Sequence, residues 1–293
     1  MIVDVSPRRL KTSIEVRAMR LKSRLKQWWL SRRVRPIEWR GTDGLPLACI
    51  VGAHHVPMLA HALASLKRCE PRTPPLIVAA DSPESMEGLR GLFSPRSRLV
   101  SLRMWDDDIG TVPVEWRGFV ERYLRHPRWG CMAKKFVFLS SLNRQHDFVY
   151  ADSDMLWYGG VLDDVRARLE ASPSGFCVAP DAWSSYDTAF LDHVGFSFSS
   201  PVPMNAGFLA LRCGRLVAAL GHERLAGWHR YEGPFGVHTE QTLVVCAADC
   251  VAGETLPSDM VGISMEDGGA FTRRFTPRVR HYVGPKTLFW RDC

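Results

Sequence analysis

The chain has 293 residues, 46% of them hydrophobic and 24% charged, with a net charge of +7. Those values are ordinary for a globular enzyme with a sizeable core. They come with no run of about 18 apolar residues, so no transmembrane helix is expected. The N-terminus lacks the apolar core of a signal peptide. Eight scattered cysteines form no Cys-x-x-Cys pair, and Cys246 and Cys250 stand one helical turn apart without further zinc ligands. The expectation is a cytoplasmic protein in a reduced compartment.

The positive charge is concentrated at the start. Residues 1–40 hold twelve Lys and Arg against three acids, a net of +9, which leaves −2 for the rest of the chain. Leu10, Ile14, Ala18, Leu21, Leu25 and Trp28 recur at spacings of four or three, the period of one helix face. Arg17, Arg20, Lys22, Arg24 and Lys26 fill much of the remainder. Residues 1–41 thus read as a basic amphipathic arm and 42–293 as the main domain. Two readings of the arm compete. Residues 8–35 can make peripheral contact with an anionic membrane, or the stripe can dock on the protein's own domain or a second copy. Nucleic acid is not an expected partner, because the rest of the chain is slightly acidic. The oligomeric state is open.

After the Gly41-Thr42-Asp43-Gly44 turn, the apolar run 45–51 reads as a buried strand. A helix is expected over 57–67, a strand over 76–80, a helix over 84–92 and a strand over 98–102. This alternation implies a mostly parallel sheet flanked by helices, with ligands at the carboxyl ends of its strands. Two helical pieces over 116–142 are separated by His126-Pro127. Further strands are expected at 177–179 and 203–212, and a helix at 240–248.

The most informative stretch is Tyr150-Ala151-Asp152-Ser153-Asp154, preceded by the apolar Phe148 and Val149. Two carboxylates at the end of a buried strand cost several kcal/mol unless something pairs with them. A divalent cation would compensate, and oxygen ligands suit Mg²⁺ or Mn²⁺, whose shells substrate phosphates often complete. The plain alternative is a solvated turn or a helix cap.

The chain resembles the nucleotide-diphospho-sugar transferases of GT-A fold, most closely the family 8 retaining glycosyltransferases. Four segments carry the resemblance in order: the β-α-β unit over 45–80, Tyr150 to Asp154, Met204-Asn205-Ala206-Gly207-Phe208, and His281-Tyr282-Val283-Gly284-Pro285-Lys286. The resemblance implies a mixed, mostly parallel sheet and a donor that is a UDP-sugar. The acceptor would be a glycan, a glycolipid or another hydroxyl compound. It implies Asp152, Asp154 and His281 as ligands of Mn²⁺ or Mg²⁺. Ala53, His54, Lys134, Lys135, Asp152, Ser153, Gly284 and Lys286 would hold the nucleotide diphosphate. Gln241 would stand beside the anomeric carbon, with Glu240 and Asn205 contacting the donor sugar and Lys286 neutralising the leaving phosphate. Asp181, Asp187, Trp183 and Tyr186 are further expected at the pocket. The tail departs from the family pattern: Lys286 stands five residues after His281 rather than six, and Phe289-Trp290 follows later. Two alternatives stay open at this point. One is a catalytically silent carbohydrate-binding or scaffold protein of the same fold. The other is a sugar-phosphate nucleotidyltransferase, disfavoured because the loop after the first strand is neither Gly-rich nor basic.

Overall fold

The computed structural model describes residues 13–107, 109–264, 277–283 and 286–293. Its elements run in the order α1 (Ser13–Ser31), β1 (Leu47–Val51), α2 (Val56–Cys69), β2 (Leu76–Ala80), α3 (Pro83–Leu92), β3 (Val100–Met104), α4 (Arg117–Leu124) and α5 (Gly130–Asn143). Then follow β4 (Phe148–Ala151), β5 (Met155–Trp157), α6 (Leu162–Ala171), β6 (Phe176–Pro180), α7 (Thr188–Val194), β7 (Met204–Leu211) and α8 (Arg215–Leu220). The chain closes with α9 (Thr239–Cys250), β8 (Glu254–Thr255), β9 (Val261–Ser264), β10 (Val279–Tyr282) and α10 (Thr287–Asp292).

Seven strands form one sheet in the order β3-β2-β1-β4-β7-β6-β8. All neighbours pair in parallel except at β7, which is antiparallel to β4 and to β6. The sheet is mixed and mostly parallel, as expected. Strands β1, β2, β4 and β6 are apolar along their whole length because both faces are covered, whereas the edge strands β3 and β8 carry polar residues. Phe148 and Tyr150 point to the face packed by α4, α5, α8 and α9, while Val149 and Ala151 point to the face packed by α2, α3 and α6. Each fully buried Leu, Val or Phe contributes about 1.5–3 kcal/mol to this two-sided core.

A second sheet of three strands, β5-β10-β9, sits beside the first. The chain steps from one sheet to the other through Asp152, Ser153 and Asp154, between β4 and β5. Strand β10 pairs antiparallel with β5, and the register sets His281 opposite Met155. The Tyr282 amide also donates to the Asp154 carbonyl at 3.1 Å. A residue far off in sequence is thereby fixed against the acidic turn.

Among the strands, β3 and β5 depart most from the expected elements. Strand β3 starts two residues late, after Leu99, whose φ of 55° bends the backbone out of extended geometry. Strand β5 is too short to announce itself by alternation. The N-terminal arm differs more. Helix α1 lies on the chain's own domain, but not through Leu21, Leu25 and Trp28 of its apolar stripe, which face solvent; Leu10 of that stripe lies outside the described residues. Its contacts include Ser23, whose hydroxyl donates to the Thr287 carbonyl, Lys26, which donates to the Arg291 carbonyl, and Leu30, which packs against the cluster of Phe289 and Trp290. Residues 37–40 join the edge of the domain: Ile37 bridges Phe93, Arg40 bridges Arg98, and Trp39 is fully buried with its indole N–H on the Pro74 carbonyl. No helix among the described residues is long and apolar enough to cross a membrane. All eight cysteines are free thiols.

Candidate functional site

The site is built where β4 ends. Strand geometry puts side chains two apart on one face, so Tyr150 lies under Asp152, and its hydroxyl donates to Asp152 Oδ1 at 2.5 Å. The Asp152 amide donates to the Gly207 carbonyl of β7 at 2.9 Å, which fixes the turn. Asp154 enters the small sheet and is 7% exposed; His281, also buried, arrives from β10. His281 Nε2 stands 3.4 Å from Asp154 Oδ1 and 3.6 Å from Asp152 Oδ2. Donor atoms of Asp152, Asp154 and His281 all lie within 4.8 Å of one another.

Two aspartates and one imidazole form a donor set suited to a borderline-hard divalent ion such as Mn²⁺. Asp154 Oδ1 is buried and lacks a hydrogen-bond partner of ordinary geometry. A buried carboxylate oxygen without a hydrogen-bond partner, beside an imidazole nitrogen, has lone pairs to offer a cation. These residues fit a divalent cation.

Gly207 makes the arrangement possible. A Cβ at that position would meet His281 Cε1 and would come within 2.6 Å of His281 Nδ1. The glycine therefore supplies the space in which the histidine ring reaches the two aspartates. Its own amide donates to Asn205 Oδ1 at 2.7 Å, so two members of the Asn-Ala-Gly segment are tied together. A register shift at Val178 and Ala179 of β6 lies opposite this segment, and such irregularities re-aim side chains next to sites.

Cations surround the acids. The Lys286 ammonium donates to Asp154 Oδ2 and, at 2.8 Å, to the Tyr282 carbonyl. Burial works against a charged Asp154, but Lys286 and His281 outweigh it and hold the carboxyl well below the usual carboxylate range. On the other side, Lys135 of α5 lies 3.2 Å from Asp152 and 3.6 Å from Glu240. Glu240 is 2% exposed. Burial pushes its carboxyl up to about 7, with Lys135 opposing and Asp152 assisting. Lys135 is itself buried. Burial disfavours its charge, yet Asp152 and Glu240 together raise its pKa above the ordinary lysine value.

A second cluster adjoins the first through Asn205. Its amide nitrogen donates to Asp181 Oδ2 and to Gln241 Oε1, both at 3.2 Å. The Gln241 amide donates to Asp181 Oδ2 and to the Ser185 carbonyl, both at 3.1 Å. Asn205, Gln241 and Asp181 thus present one polar wall, with α9 carrying Gln241 and the end of β6 carrying Asp181.

The other expected residues fall in different places. Lys134, next to Lys135 on α5, turns away and donates to the Asp81 carbonyl at the end of β2, 2.7 Å off. Ala53 and His54 lie in a short 3-10 turn just after β1, at the same carboxyl edge. Ser153 is buried between the two aspartates. Glu240 sits behind Lys135 rather than on an open wall. Gly284 lies outside the described residues. Asp187 proves to be structural: its side chain caps α7 at the Phe190 amide and accepts from the Thr239 hydroxyl. Tyr186 stacks on Phe198, and its hydroxyl takes the Met204 amide, while Trp183 stays 41% exposed. Sequence reasoning missed the roles of Tyr150 and Gly207. The first had a signal, its position two residues before Asp152 on a strand.

No family model matches the chain, and no curated protein matches it. Solved structures do. Mouse xyloside xylosyltransferase 1 in its apo form superposes with a TM-score of 0.54 at 11% identity, over 81% of this chain and 97% of that one. The galactosyltransferase LgtC in complex with donor and acceptor sugar analogues gives 0.53 at 14% identity, over 82% and 88%. An active-site Gln-to-Glu mutant of LgtC gives 0.54 at 13%, with the same coverage. With its mostly parallel seven-stranded sheet and its flanking helices, the chain has the GT-A fold of glycosyltransferases.

Proposed function

We propose that the chain is a metal-dependent glycosyltransferase that moves a sugar from a nucleotide-diphosphate donor, a UDP-sugar, to the hydroxyl of a glycan, a glycolipid or a similar acceptor. The observation that carries this reading is the convergence of Asp152, Asp154 and His281 from two sheets at the carboxyl edge of the strands. The GT-A fold makes a sugar donor the fitting substrate, and the solved complex of LgtC holds donor and acceptor sugar analogues.

Asp152, Asp154 and His281 would hold a divalent cation, which supplies charge neutralisation for a diphosphate. Lys286 stands beside them with its ammonium ready to pass from Asp154 to a phosphate oxygen, where it would stabilise the departing diphosphate. Asn205, Asp181 and Gln241 would bind the sugar hydroxyls and orient the ring. In the transfer, the bond from the anomeric carbon to the diphosphate oxygen breaks and the acceptor oxygen bonds to that carbon. The acceptor proton goes to the departing phosphate oxygen. Gln241 is an amide and too weak a nucleophile for a covalent intermediate; retention, by substitution on one face, rests on the resemblance to the family 8 enzymes. An active-site glutamine is also what was replaced in the LgtC mutant.

Calorimetry tests the reading. The wild-type chain should bind UDP in the presence of Mn²⁺, and Asp154→Ala should abolish that binding. UDP bound equally well by the variant, or not at all by the wild type, would refute it. Release of UDP from a panel of UDP-sugars then separates a transferase from a silent binder.

A further inference from the structure

Helix α1 turns to solvent the side that its sequence pattern marks for burial. At about 100° per residue, Leu21, Leu25 and Trp28 fall on one stripe, and Ser23, Lys26 and Leu30 fall on the opposite side. The second set is the docked one. The first is open: Leu21 and Leu25 are each 60% exposed and Trp28 56%, with Trp29 at 45% beside them. Cations flank the stripe on both edges, Arg17 and Arg24 on one and Lys22 on the other, and all three are exposed. The Arg32 guanidinium lies 4.0 Å over the Trp28 ring and that of Arg33 lies 3.9 Å over Trp29. Residues 16–37 contain eight Lys and Arg and no acid.

We propose that this face docks on an anionic lipid surface, with Leu21, Leu25 and Trp28 in the boundary between headgroups and acyl chains and the flanking cations on lipid phosphates. An apolar stripe bordered by cations and ended by tryptophans matches that boundary. The other occupants fit less well. A second copy of this segment would bring eight more cations against these eight, with Glu15 the one acid of helix α1 to pair them. A nucleic-acid backbone asks for cations and leaves three exposed apolar side chains without a role. The inference does not depend on the transferase reading.

The test uses the full chain and vesicles of phosphatidylcholine, alone or mixed with phosphatidylserine. The wild type should sediment with the anionic vesicles, less so as salt is raised, and not with phosphatidylcholine alone. The triple variant Leu21→Glu, Leu25→Glu, Trp28→Glu should partition at least about ten-fold less. Its melting temperature should match the wild type, because these side chains face solvent. A triple variant that sediments like the wild type overturns the proposal. So does a wild type inert to anionic vesicles, whether it is a monomer, a dimer that the triple variant dissolves, or retained on single-stranded DNA.

Discussion

Replacing Gly207 by alanine probes the site at the point where the fold makes room for it. The added methyl would stand 2.6 Å from His281 Nδ1 and 2.8 Å from Asn205 Oδ1, where non-bonded contacts between heavy atoms settle near 3.5–4.0 Å. Strand β7 is buried along its length, and although Gly207 lies at the register shift with β6, its carbonyl is held by the Asp152 amide, so the backbone yields less readily than the ring. The histidine ring must move by about an ångström instead. Overpacking of this kind costs about 1–3 kcal/mol. For a chain of this size that is about 2–6 °C in melting temperature. Loss of alignment in a metal ligand should weaken Mn²⁺ binding by about 10–100-fold. Scanning fluorimetry in chelator reads the first effect and calorimetry with Mn²⁺ reads the second. The decisive control is the double variant with His281→Ala, measured without metal. Much of the alanine's cost should vanish once the ring is gone, a coupling of about 1–2 kcal/mol. Purely additive costs, or a Gly207→Ala variant that binds Mn²⁺ like the wild type, would refute the idea that this glycine exists to seat the histidine.

Two further outcomes follow from the charges. Lys286→Met removes the ammonium from Asp154 and should lower metal-free stability by up to about 3 kcal/mol. It should also tighten binding of Mn²⁺ alone, by about ten-fold if the ion pair is worth ~1.4 kcal/mol, while weakening UDP; equal Mn²⁺ affinity in both proteins would count against competition for Asp154. Glu240 keeps its proton up to about pH 7 in the folded chain, whereas the unfolded chain releases it near the ordinary glutamate value. The folded state binds more protons between those limits, so this group's contribution to stability falls as pH rises from about 4.5 to 7. Glu240→Gln should flatten that slope in melts recorded from pH 5 to 8 in chelator and should be the more stable protein at pH 8, by no more than about 3 kcal/mol. A slope unchanged by the substitution would place the proton elsewhere.

The strands that the sequence announces are those buried on both faces. Phe148 to Ala151 and Leu76 to Ala80 are apolar without interruption and bounded by turns, so composition alone marks them. The acidic pair was readable for the same reason, since polar side chains stand out at the end of such a run. Strand β5 was not, because Met155, Leu156 and Trp157 are too few to show a period. Its pairing with β10 depends on register across a long connection, which no local pattern encodes. The bond from Tyr150 to Asp152 was within reach of strand geometry, whereas the use of Gly207 required knowing that His281 lies over it. In the arm, the apolar stripe was visible, but the docked side was not. That side is held by a serine hydroxyl, a lysine on a carbonyl and one leucine, none of which forms a hydrophobic pattern.

The step between the two sheets also fixes when the site can assemble. Asp152 and Asp154 emerge from a growing chain in a segment whose strand partner, β10, has not yet been made. Lys286 follows Asp154 only after 132 further positions, and His281 shortly before it. Until then the large sheet can form as a unit while the two acids have neither their imidazole nor their ammonium. Chains stopped between β8 and β10 would therefore look folded and yet lack the imidazole and the ammonium, so that competence is conferred only once β10 and the residues after it have been made.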